Sequence, residues 1–170
     1  TYTVDMLGNV VGGREVKHLN VDIDLMKSLA IKQLQAHQSV WFGVDMGPQV
    51  DRGSGVMANN MFATDDLLQV NTMMTKAQRL DYGESLMTHA MVLTGVDLDD
   101  SGKPLRWKVE NSWGEKVGQK GYFIMSDDWM SEYAYQVVVN KSFLSDELRN
   151  IYDTAEPTQL APWDPMGALA

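Results

Sequence analysis

A chain of 170 residues with 44% apolar content is long enough for one domain with its own core. Its 14 basic residues against 23 acidic ones give a net charge of −9, which argues against a nucleic-acid surface or an anionic membrane as partner. No apolar run approaches the ~20 residues of a membrane span, no signal peptide opens the chain, and the lack of cysteine excludes disulfides and zinc–thiolate sites while fitting the cytosol.

Residues 1–11 read as a strand and a turn, broken by Gly12 and Gly13, with a weak second strand over 16–21. The glycine pair is not a phosphate loop, because the Lys and Ser/Thr of such a loop are missing. Asp22 or Asp24 suits a helix N-cap, and Leu25, Met26, Leu29, Ala30 and Leu34 recur at helical spacing, so a helix runs to about His37. His18 is assigned to surface or turn, and His37 to a favourable place near the helix C-terminus. Residues 39–44 form a buried strand, and 45–60 a loop punctuated by Gly47-Pro48 and Gly53-Ser54-Gly55. Ser54 lies between glycines but lacks the five-residue elbow of a nucleophilic serine. Thr64 or Asp65 caps a short helix ending at Leu68, and 76–80 is a second short helix.

The stretch from Glu84 to Gly114 is a β-hairpin with an acidic turn at 97–104. A loop centred near Asp100 pairs Met91 with Val109, Leu93 with Trp107 and Gly95 with Leu105 on an apolar face. The same register sets His89 opposite Asn111, about 5 Å apart at Cβ. An Asn oxygen can accept from one ring N–H and fix the imidazole, leaving the other ring nitrogen to serve a nucleophile. Trp113 is placed to shield that bond.

A third strand over 122–125 follows a polar loop with two glycines. Ser126, Asp127 and Asp128 cap a helical turn, 134–139 is a strand and 146–152 a short helix. The Asp99/Asp100 and Asp127/Asp128 pairs lack the spacing of a calcium loop. Residues 155–170 carry three of the five prolines and read as an extended arm.

THAM at 88–91 and VENSWGEKVGQKGYFIM at 109–125 resemble the His and Asn blocks of papain-like cysteine peptidases. GESLMTHAM at 83–91 and WDPMGALA at 163–170 resemble the bleomycin hydrolase and aminopeptidase C branch, and the likeness extends over most of the chain. The resemblance implies an α+β papain-like fold: a C-terminal antiparallel β-sheet or half-barrel with flanking helices, spanning 1–154, and an extended arm over 155–170. It gives His89 the role of proton carrier and Asn111 that of orienter. Ala170 becomes the carboxylate that meets the substrate's free amine, and the arm lies in the cleft. It implies no cofactor and no metal.

The family's Cys nucleophile and oxyanion-hole Gln cannot be matched, so the chain reads as the C-terminal portion of a longer cytosolic cysteine aminopeptidase. The expected partners are peptide substrates, the Cys-bearing N-terminal half of the same enzyme, and further copies in a homohexamer. Alone, it should be inactive. The alternative is a non-catalytic papain-like relative that binds peptides or a protein partner.

Overall fold

The computed structural model describes residues 1–8 and 10–168. In chain order the elements are β1 (Tyr2–Val4), α1 (Ile23–Gln35), β2 (Val40–Val44), β3 (Val50–Asp51), β4 (Val56–Met57), α2 (Thr64–Leu68), α3 (Lys76–Asp81), β5 (His89–Leu98), β6 (Pro104–Glu110), β7 (Tyr122–Ser126), α4 (Asp127–Tyr133), β8 (Ala134–Val138), α5 (Asp146–Thr154) and β9 (Thr158–Leu160). Seven strands form one sheet in the order β3-β4-β7-β6-β5-β2-β8, curled into a half-barrel; β1 and β9 form a separate parallel pair. The fold is α+β, with the half-barrel and flanking helices expected. The sheet is antiparallel except at the β4–β7 contact.

Side-chain caps set most helix starts. Asp22, not Asp24, caps α1, its Oδ1 accepting from the Leu25 N–H at 2.8 Å. The helix stops at Gln35, slightly before the expected end, and His37 then takes a left-handed φ of 59°. Ser126 caps α4, Ser145 caps α5, and Thr75 with Gln78 forms a capping box on α3. At α2 neither expected cap serves: Ala63 holds the N-cap position, and the Asp65 carboxylate binds Thr72.

Two large apolar surfaces meet inside the curl. Phe42, Leu93, Trp107, Val109, Phe123 and Met125 from the sheet, with Trp129 and Met130 from α4, are fully buried. Their polar atoms find partners. Trp107 Nε1 donates to Asp127 Oδ1 at 3.1 Å, and Trp129 Nε1 donates to the Pro48 carbonyl at 3.1 Å. The other Asp127 oxygen pairs with the buried Lys27 ammonium at 2.6 Å. Asp127 is therefore a junction between α1, β6 and α4.

The hairpin register differs from expectation. Leu93 faces Val109, Val96 faces Trp107, and Leu98 faces Pro104. The loop is centred one residue later, because the Asp99 carboxylate accepts from Ser101 N, Ser101 Oγ and Lys103 N and closes the turn over 99–103. Two bulges then follow, with Leu105 extra on β6 and Thr94 extra on β5. They cancel, so the faces expected at the His89 end are kept while each partner is displaced by two.

Two other expectations change. The 45–60 loop contains β3 and β4, which extend the sheet edge beyond β7. Residues 16–21 make no strand, only a bridge in which His18 exchanges backbone bonds with Tyr2. Within the arm, β9 pairs with β1, and the single 3₁₀ turn Pro165–Gly167 rests on Val4 and Leu7. A Cβ on Gly167 would lie 3.2 Å from Val4 and 3.3 Å from Leu7, so only a bare backbone fits there without displacing them.

Candidate active site

His89 is the first residue of β5, held against Val44 of β2, and Asn111 directly follows β6. The Asn111 N–H donates to the Gly121 carbonyl at 3.0 Å, which ties the strand end to the turn before β7. His89 Nε2 lies 2.8 Å from Asn111 Oδ1. The same oxygen accepts from the Ser112 N–H at 2.8 Å. A backbone donor at that atom requires the amide oxygen there, so the Nε2 atom carries the proton of the bond. In the neutral ring Nδ1 is then the free lone pair. The partners meet diagonally across the hairpin rather than directly opposite, which long side chains can do.

Trp113 lies against this pair. Its ring centroid is 5.0 Å from the imidazole, tilted by 31°, and its edge meets buried Phe123 at 6.0 Å. The turn that returns from Trp113 to β7 depends on Gly118, where a Cβ would come within 2.6 Å of the Tyr122 carbonyl. The arrangement is a half-buried imidazole with a fixed tautomer and one nitrogen left for proton transfer.

The profile of the Peptidase C1-like family matches residues 1–167. The chain belongs to the Peptidase C1-like family. It is 58% identical over 170 residues to aminopeptidase C of Streptococcus thermophilus, covering 100% of this chain and 38% of that protein. It is 45% identical over 172 residues to bleomycin hydrolase of Gallus gallus, covering 99% of this chain and 38% of the relative. Among solved structures, pepw from Lactobacillus rhamnosis is 65% identical with a TM-score of 0.93, covering 99% of this chain and 38% of that one. The chain thus spans under two-fifths of the length of these Peptidase C1-like relatives, corresponding to their C-terminal part.

The remaining candidates fall elsewhere. Ser54 Oγ donates to Asp51 Oδ2 at 2.6 Å on an exposed loop. His18 is half-buried, and burial holds its pKa below the ordinary histidine value. His37 is exposed at the end of α1. Ala170 lies outside the described residues. A cavity of about 900 Å³, lined by residues including His18, Met26, Lys76, Tyr135 and Met166, contains neither His89 nor Asn111.

Two features near the site were not legible beforehand. Just ahead of His89 in the chain, Ser85 Oγ donates to the buried Asp45 carboxylate at 2.7 Å, and the Tyr135 hydroxyl, 2.6 Å away, donates to Ser85. A bulge at Tyr135 on β8 aims that side chain there, and burial raises its pKa. The Thr88 N–H bonds the Val44 carbonyl, and Thr88 Oγ1 accepts from the Met46 N–H, so the approach to His89 is pinned to the exit of β2. Lys76 caps this region, donating to the Ser131 and Ala134 carbonyls; burial lowers its pKa to about 8. The second feature is Arg52, whose guanidinium stacks on Trp113 at 4.6 Å. Their partners are some 40 or more residues away in sequence, so only aromatic and charged residue types hinted at them.

Proposed function

We propose that this chain supplies the proton-carrying part of a cysteine aminopeptidase, with the thiol contributed by a Cys-bearing polypeptide of the same enzyme. The observation that carries this reading is the 2.8 Å bond between His89 Nε2 and Asn111 Oδ1, together with the aminopeptidase C relatives. His89 Nδ1 takes the proton of the Cys thiol, and the thiolate attacks the first peptide carbonyl. His89 returns the proton to the leaving nitrogen, and a thioester remains. Water then gives a proton to His89 while its oxygen attacks the thioester; the acid leaves and the thiol is restored. Asn111 keeps the imidazole in the tautomer that both steps need.

The cytosolic setting, the homohexamer and the amine-binding role of the Ala170 carboxylate belong to the same proposal and rest on the family resemblance. A non-catalytic, peptide-binding role is favoured by one observation, the absence of cysteine from the sequence.

Aminoacyl arylamide hydrolysis separates the two. The chain alone should give no turnover, and turnover should appear when the Cys-bearing polypeptide is added. In that enzyme His89→Ala should lower kcat by at least about a thousandfold, and Asn111→Ala by roughly tenfold. Turnover by the chain alone, indifferent to a thiol-alkylating reagent, overturns the assignment.

A further inference from the structure

We infer that Arg52 binds the C-terminal carboxylate of the leaving peptide, so that the enzyme favours short peptides with a free carboxyl end. The inference rests on the proposed peptidase reading and adds a substrate class to it.

Among the described residues no carboxylate pairs with the Arg52 guanidinium, although Asp51 is its neighbour in sequence. The Asp51 carboxylate is already committed: it accepts from Ser54 Oγ at 2.6 Å and from the Gly53 N–H at 2.9 Å. Arg52 instead lies over Trp113 at 4.6 Å, with Trp113 at 5.0 Å from His89. The loop is tied down by the Gly118 N–H, which donates to the Arg52 carbonyl at 3.0 Å. The turn that carries Gly118 adds Lys116 and Lys120 against one acid, Glu115. Counting Asp51, the two segments carry Arg52, Lys116 and Lys120 against Asp51 and Glu115, a slight basic excess in a chain with a net charge of −9.

The chemistry fixes which part of a substrate passes there. His89 hands its proton to the nitrogen of the leaving peptide, so that peptide starts at the imidazole and departs along what flanks it. Trp113 flanks the imidazole, and the exposed Arg52 stacks on Trp113. The two stacking distances put the guanidinium within about 10 Å of the imidazole centre, and a leaving dipeptide spans about 7 Å from amine to carboxylate. A tripeptide, cleaved after its first residue, brings its carboxylate into range. The guanidinium fork suits a carboxylate, and stacking on the indole limits how much side-chain freedom is lost on binding.

The test compares trialanine with trialanine amide in the intact enzyme, Cys-bearing part included. The free acid should have the higher kcat/KM by about fivefold at low ionic strength, mainly through KM, and the preference should shrink with added salt. Arg52→Met should bring the acid-to-amide ratio close to one, and Arg52→Lys should leave it in between. A wild-type ratio of one overturns the inference without any variant. Equal losses on both substrates in Arg52→Met also overturn it, since Arg52 would then be acting through Trp113 and His89. Enzyme that hydrolyses neither peptide nor any arylamide defeats the aminopeptidase reading itself. Enzyme that cleaves both peptides equally defeats only the role given to Arg52.

Discussion

At its turn end the β5–β6 hairpin is held by its own residues; at the end bearing His89 and Asn111 it is held by the rest of the chain. The turn end closes through Asp99, Ser101 and Lys103, all within five positions, and an exposed Arg106–Asp97 pair that contributes little. Around His89 the ties reach Val44, Met46, Asp45 and Tyr135, and around Asn111 and Trp113 they reach Gly121 and Phe123. A local turn forms cheaply and tolerates change. A site assembled from distant segments exists only when the whole half-barrel does, so its precision is set by the core and not by the hairpin.

Trp107→Ala, at the middle of the hairpin, is the most severe way to break this contrast. It removes a fully buried indole and leaves Asp127 Oδ1 without its donor. A stability loss of about 3–5 kcal/mol in urea denaturation is expected, and a loss below about 1 kcal/mol would mean the core does not set the site's rigidity.

Lys76 gives a smaller effect that depends on pH. Its folded value near 8, lowered chiefly by burial, lies below the ordinary 10.5. Between those values the unfolded chain binds more protons, so stability should rise with pH from about 7.5 to 9.5, by on the order of 1–2 kcal/mol. Tyr133 and Tyr135, raised by burial, oppose this only above about pH 10: there the unfolded phenols ionise first, the unfolded chain binds fewer protons, and stability falls until the folded phenols ionise too. Thermal melts across that range should show the slope in the wild type and not in Lys76→Met; a flat wild-type profile would contradict the burial of this ammonium.

The mildest change is Asp99→Ala. It should lower Tm by a few degrees at most and leave peptidase activity of the intact enzyme unaltered. A loss of activity here would erase the distinction between the two ends.

The elements legible in the sequence were those with local causes. Asp22 and Ser126 announced helix starts through their own side chains, and the alternation through Met91, Leu93, Trp107 and Val109 announced a buried face. The meeting of His89 with Asn111 was legible as well, although the residues directly opposite were not. The register error arose because two bulges and a shifted turn leave no mark on a period-two pattern. The two-residue strands β3 and β4 escaped because they are shorter than any periodicity, and β9 because its partner is some 156 positions away at Tyr2. Arg52 and Asp45 carried no signal beyond their charge.

Thr94 and Leu105 are dislocations of opposite sign, one on each strand, and the ladder is out of step only between them. Beyond Thr94 the phase is restored, which is why His89 and Asn111 share a face. Deleting Thr94 removes the extra residue on β5 and leaves Leu93 opposite Val109, so His89 keeps its face and its contact with Asn111. Deleting Leu105 does the same for β6. A chain lacking both should therefore keep the imidazole N–H signal that the bond protects, whereas loss of one residue between His89 and Leu93 should abolish it.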